Sequence, residues 1–218
     1  MSKLPANTSD QEVNEFLKKV ASTIGSPSGR GRLLFAMDAT ASREPTWDSA
    51  CMIQGEMFSS TESLGGLEIQ LVYYRGFREC RASKWVTNTN ELLKMMASVM
   101  CRGGATQIEK VFIHAINESK QGKINAVVFV GDAMEEDIDK LCQKAGELKL
   151  LDVPVFIFQE GGDITARHVF EQIAQISGGA YCSFDSSSAE QLRTLLAAVA
   201  VYAAGGRVAL LEYGKEQG

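Results

Sequence analysis

Apolar runs and amphipathic stretches alternate along most of the chain. Val13, Phe16, Leu17, Val20 and Ile24 fall at helical spacing, so an amphipathic helix is expected over 10–24 with Asp10 available as its N-cap. Its apolar stripe must be covered, most simply by the domain that follows; a helix that docks a partner is the alternative. GSPSGRG (25–31) breaks the pattern. RLLFAMD (32–38) is then almost wholly apolar, as a strand covered on both faces requires. Pro45 suits the first turn of a following helix that carries Trp47, Cys51, Ile53, Met57 and Phe58. LEIQLVYY (67–74) is a second strand. After a turn at Arg75-Gly76, FRECRASKWV (77–86) returns antiparallel to it, because no helix fits between the two. Helices are expected over 89–101 and 106–121, separated by Arg102-Gly103-Gly104. The rest alternates: strand KINAVVFVGD (123–132), helix 136–150, strand VPVFIFQ (153–159), helix 165–177, strand AYCSF (180–184) and helix 188–204. VALLEYG (208–214) fits either an extension of that helix or an edge strand.

Strands joined by helical crossovers predict an α/β fold, a doubly wound, mostly parallel sheet with helices on both faces. The one short hairpin places an antiparallel strand at the sheet edge. The chain divides into an N-terminal helix and linker (1–30), one domain (31–204) and a C-terminal extension (205–218).

Composition narrows the function. A hydrophobic fraction of 45% with 22% charged residues is that of a compact soluble fold. No apolar run approaches the roughly 18 residues that a membrane span needs, and acids and lysines interrupt the first 30 residues where a secretory signal would be apolar. The cysteines (Cys51, Cys80, Cys101, Cys142 and Cys182) are odd in number, widely spread and free of C-x-x-C pairs. Reduced thiols in the cytoplasm are therefore expected, not a zinc site or a disulfide framework. A net charge of −5 argues against a nucleic-acid partner. Arg75, Arg78, Arg81 and Lys84 alternate with apolar residues as the solvated face of an edge strand does.

Three polar clusters stand where buried strands end or helices open. Asp38-Ala39-Thr40-Ala41-Ser42 follows the first strand and carries three oxygen-bearing side chains at alternate positions. Gly103-Gly104-Ala105-Thr106 permits a close approach before a helix, and Val130-Gly131-Asp132 closes the strand AVVFVGD. Ligands of open α/β sheets collect beyond the carboxyl ends of the strands, where the winding direction reverses. Two carboxylates with three hydroxyls make a hard-oxygen shell, suited to Mg²⁺, Mn²⁺ or Ca²⁺ and not to zinc.

The D-A-T-A-S run resembles the D-x-S/T-x-S motif of von Willebrand factor A (VWA) domains. The glycine-rich approach to Thr106 and the strand-terminal Asp132 match the other two parts of that family's metal-ion-dependent adhesion site, over a resemblance that covers about residues 31–204. It implies a six-stranded sheet of order 3-2-1-4-5-6 with strand 3 antiparallel. It also implies roles: Thr40 and Ser42 on the metal through their hydroxyls, Asp38 and Asp132 largely through bound water, and Thr106 joining or leaving the shell. Few direct charged ligands leave the ion electrophilic, so an Asp or Glu from a partner protein completes its octahedron, within a larger assembly. Thr40 replaces the commoner serine and keeps the hydroxyl; Ala133 stands where many members have glycine.

The enzyme alternative resembles the haloacid dehalogenase superfamily, a Mg²⁺-dependent phosphohydrolase with Asp38 as nucleophile. Its first motif needs a second Asp two positions on, as general acid, where this chain has Thr40. No G-x-S-x-G elbow, no phosphate loop and no dinucleotide fingerprint are present. Glu135, Glu136, Asp137 and Asp139 suit a capped helix start, or a rim that repels acidic partners; His114 and His168 are ordinary helix residues.

Overall fold

The structure, a computed structural model, describes residues 10–22, 31–46, 67–184 and 194–204. Helix α1 (Asp10–Ser22) leads into strand β1 (Gly31–Asp38) and a 3-10 turn over Ala41–Thr46. Strands β2 (Leu67–Arg75) and β3 (Glu79–Ala82) form the hairpin, followed by helices α2 (Thr89–Ala97) and α3 (Ile108–Gln121). Then come β4 (Ala126–Gly131), α4 (Ile138–Leu150), β5 (Val155–Glu160), α5 (Ile164–Ser177), β6 (Tyr181–Phe184) and a last helix, α6, over 194–204.

The strands form one six-stranded sheet of order β3-β2-β1-β4-β5-β6. All neighbours run parallel except β2 and β3, so the expected order and the antiparallel edge strand are both present. Alternation along the central strands divides the core in two. Leu33, Phe35, Met37, Val128, Val130, Phe156 and Phe158 face α1, α2 and α6. Leu34, Ala36, Val127, Phe129 and Ile157 face α3, α4 and α5. Both faces of β1 and β4 are buried, which is why these strands are written almost without polar residues.

Helix α1 is part of this core. Phe16 and Val20 are fully buried, and the Phe16 ring lies 5.3 Å from that of Phe158 and 6.0 Å from that of Phe156. The apolar stripe read from the sequence is therefore covered by the chain itself.

Some boundaries differ from expectation. Asp10 is the first residue of α1 rather than a cap before it. The segment with Pro45 is a 3-10 turn as far as Thr46. The helix expected beyond it, with Trp47, Cys51, Ile53, Met57 and Phe58, lies outside the described residues, as does VALLEYG. The return strand is short: β3 pairs from Glu79 to Ala82, and Val86 rejoins through one bridge to Ile69. Helix α2 stops at Ala97, where the Ser98 N–H donates to the Met95 carbonyl at 3.2 Å and the Val99 N–H to that of Met96 at 3.0 Å.

Candidate functional site

The carboxyl ends of β1 and β4 meet at the middle of the sheet, where β1 connects outward to β2 on one side and β4 to β5 on the other. Met37 is level with Val130, so Asp38 closes β1 level with Gly131, and Asp132 follows one residue on, just past the end of β4. Gly131 stands beside Asp38 and under the Phe129 ring. A Cβ there would lie 2.8 Å from the Phe129 ring and 3.6 Å from the Cβ of Asp38.

Asp38 is fully buried and both its oxygens are engaged. Oδ1 accepts from the Thr40 N–H at 2.7 Å, and Oδ2 accepts from the Tyr74 hydroxyl at 2.9 Å. Burial pushes its carboxyl above the usual carboxylate range; hydrogen bonds from Thr40 and Tyr74 oppose that rise, and the charge of Asp132 adds to it. Tyr74, opposite Asp38 in the β1–β2 register, is itself buried, and burial followed by the charge of Asp38 raises its hydroxyl well above the ordinary value. The phenol therefore stays protonated and acts as a fixed donor.

The Asp38 bond to the Thr40 N–H curls the chain after β1. The Thr40 carbonyl then accepts from the Arg43 N–H, and the hydroxyls of buried Thr40 and exposed Ser42 lie 3.0 Å apart. Asp132 is half-buried, but its Oδ1 is buried and has no hydrogen-bond partner among the described residues. An unpaired buried carboxylate oxygen is costly unless something else satisfies it.

Thr106 arrives from a third segment. Arg102 N–H donates to the Ala39 carbonyl at 3.0 Å, tying the glycine loop to the chain just after Asp38. Gly104 presses on the hairpin, and a Cβ there would come within 2.1 Å of the Gly76 carbonyl oxygen. Thr106 is buried and clasped to the loop after β4: its N–H donates to Glu135 Oε2 at 3.1 Å, and its Oγ1 accepts from the Glu135 N–H at 3.0 Å. Glu136 accepts from the N–H groups of Ile108 and Glu109, capping α3 from the loop after β4, because the side chain of the helix's own N-cap Gln107 does not cap it and instead donates to the Arg75, Gly76 and Glu79 carbonyls of the hairpin. Only Asp137 caps the helix that follows it. The acid run was expected to open α4; two of its members serve α3 instead.

Asp38, Thr40, Ser42 and Asp132 thus gather at one end of the sheet, with Thr106 joined to them through the 132–135 loop. Among the described residues no three His, Cys, Asp or Glu side chains converge on one point. The donors here are two acids and three hydroxyls, and an orphaned acid oxygen among hydroxyls is a set that fits a small, hard cation.

Arg43, which sequence reasoning left aside, is only 1% exposed and forms an ion pair with Glu160 at the end of β5. Burial lowers its pKa; the charges of Asp132 and Asp38 oppose that. The sequence held one signal for it, an arginine directly after D-A-T-A-S. Elsewhere His114 bonds Gln70 at 2.8 Å, as an ordinary packed residue does. Burial pushes the Cys80 thiol to about 11 and raises those of Cys101 and Cys142, so these are not activated nucleophiles.

No protein-family model and no curated protein matches the chain. Solved structures do. The VWA domain of SpRpn10 superposes with a TM-score of 0.63 at 13% identity, over 77% of this chain and 94% of that one. A von Willebrand factor type A protein from Catenulispora acidiphila gives 0.61 at 13% identity, over 78% of this chain and 42% of that one. The manganese-loaded Plasmodium vivax TRAP protein gives 0.57 at 12% identity, over 77% and 73%. At such identities the likeness establishes the fold: this chain has a VWA-like, Rossmann-type architecture.

Proposed function

We propose that this protein is a metal-ion-dependent protein-interaction module. A divalent cation, Mg²⁺ first with Mn²⁺ or Ca²⁺ as substitutes, sits among Asp38, Thr40, Ser42, Thr106 and Asp132, and an Asp or Glu of a partner protein completes its shell. The observation that carries this reading is Asp132 Oδ1, buried near a second acid and without a hydrogen-bond partner among the described residues. When bound, the cation supplies the charge that holds the acids together and an open position for a carboxylate. The chain's residues orient that arrangement: Tyr74 and the Thr40 N–H fix Asp38, and Glu135 fixes Thr106.

Two further observations support a protein partner. Phe77, at the tip of the β2–β3 hairpin, is 87% exposed and Met100 is 64% exposed. Both flank the glycine loop, since Gly104 abuts Gly76 and Arg75 donates to the Met100 carbonyl at 2.6 Å. Exposed apolar side chains at the rim of a polar site are what a protein surface covers. The TRAP protein that shares this fold is manganese-loaded, in keeping with the proposed ion. The reducing cytoplasm remains the proposed compartment.

The module is proposed to be non-catalytic. In the phosphohydrolase scheme Asp38 must attack as a free carboxylate, whereas here both of its oxygens accept hydrogen bonds inside the core. The test is thermal melting in chelator and in Mg²⁺ or Mn²⁺, for the wild type, Asp38→Ala and Asp132→Ala. A rise in Tm in the wild type, lost in both variants, is expected. A wild-type melt unmoved by saturating cation overturns the metal reading, and turnover of phosphomonoesters abolished by Asp38→Asn overturns the non-catalytic one.

A further inference from the structure

Arg43 leaves the chain just after the β1 loop, yet pairs with Glu160 at the end of β5. In the sheet β4 lies between those two strands. Neighbouring strands are about 4.8 Å apart, so the loop after β1 and the Arg43 side chain together span the end of β4 to reach β5. That end is Gly131, level with Gln159, and the next residue is Asp132. The guanidinium, buried and paired with Glu160 beyond that end, therefore lies within range of the charge of Asp132, whose Oδ1 has no hydrogen-bond partner among the described residues. The favourable charges on Arg43 come first from Asp132 and then from Asp38.

We infer that Arg43 is an internal counter-ion of the Asp38–Asp132 pair that weakens the hold of this site on a divalent cation, with Glu160 setting how much of its charge reaches the acids. This rests on the metal reading above and adds its regulation. A like charge beside the cation raises its escape rate, so firm retention then requires a further negative charge, which is what a partner carboxylate brings. Arg43 acts through Asp132 and is a positioning residue, not a ligand. Glu160 draws the guanidinium toward β5, so removing its charge turns Arg43 more fully onto Asp132. Metal binding and partner binding become strongly coupled, because each alone meets an uncompensated charge.

The probe is Mn²⁺, titrated into the whole chain with free ion read by electron paramagnetic resonance, folding being checked by circular dichroism. Glu160→Gln is expected to weaken Mn²⁺ by about tenfold, because one charge moved a few ångströms in a partly buried site is worth that order. Removing the arginine as well, in Arg43→Met/Glu160→Gln, is expected to reverse the loss and bind Mn²⁺ at least as tightly as the wild type. Arg43→Lys, which keeps the charge, should stay near wild type. A merely structural role would weaken binding in both the single and the double variant. If the wild type binds Mn²⁺ and the folded double variant binds no more tightly than Glu160→Gln, this inference is overturned and the metal reading stands. If only the double variant binds, the inference is supported in its strongest form. If none of the proteins binds Mn²⁺, the metal reading falls and takes this one with it. Should the double variant not fold, Glu160→Gln decides alone: unchanged or tighter Mn²⁺ binding overturns the inference.

Discussion

Removing one oxygen atom, in Tyr74→Phe, isolates the bond that anchors Asp38. The hydroxyl is buried and donates to Asp38 Oδ2 at 2.9 Å, while the ring packs 6.3 Å from Phe129 and would remain. With Asp38 ionised, its loss strips a buried carboxylate oxygen of its donor and is expected to cost about 2 kcal/mol. For a domain of this size that is a fall in Tm of about 4–8 °C. The same change should cost only about 1 kcal/mol where Asp38 is protonated, since a neutral carboxyl needs the donor less. The assay is urea unfolding in chelator at two pH values, one at which Asp38 is ionised and a lower one at which titration of the wild type shows it protonated. Tyr74 keeps its proton throughout, so within this bond only Asp38 changes state, and comparing the variant with the wild type at each pH cancels the titration of other groups. An equal cost at both pH values would refute the reasoning, because the bond would then be indifferent to the charge it is said to hold.

Other outcomes follow from the same geometry. In chelator Asp38→Asn should stabilise the protein at neutral pH. The folded carboxyl titrates above its unfolded value, so its contribution is full below the unfolded pKa of 3.8 and is lost as pH rises through the folded value; denaturation across that window should show the wild type losing stability that the variant keeps. Glu136→Ala removes the cap shared by Ile108 and Glu109 and should cost about 1–2 kcal/mol by chemical denaturation, with no change at the Asp137 cap of α4. Phe16→Ala should cost about 3 kcal/mol or more in the same assay; a cost below about 1 kcal/mol would mean that α1 is not part of the core.

Periodicity made the strands and helices legible, because a sheet buried on both faces forces apolar runs such as RLLFAMD and AVVFVGD. The ends of those runs located Asp38 and Asp132 for the same reason. What periodicity does not carry is register and reach. Tyr74 reads as one more strand aromatic until pairing sets it opposite Asp38. Glu135 and Glu136 look like the opening of the next helix, since nothing local says that they will serve a helix start nearly thirty residues earlier. Arg43 reads as a loop cation, and its burial depends on Glu160 closing a strand two positions across the sheet. Pro45 and the spacing beyond it suit an α-helix, yet Ala41–Thr46 take a tighter 3-10 turn because the bonds after Asp38 already curl the chain there.

The two acids of the site stand at positions 38 and 132, at the ends of strands that touch only once the middle of the sheet has closed. An unfolded chain holds them far apart and offers no chelating fragment to an ion. A cation that needs both therefore cannot template the early steps of folding and has nothing to bind until β1 and β4 are zipped together. Its whole binding free energy then appears as added stability of the finished domain, undiminished by competition from the unfolded chain. On the proposed reading, an ion bound there would report that the sheet has been completed.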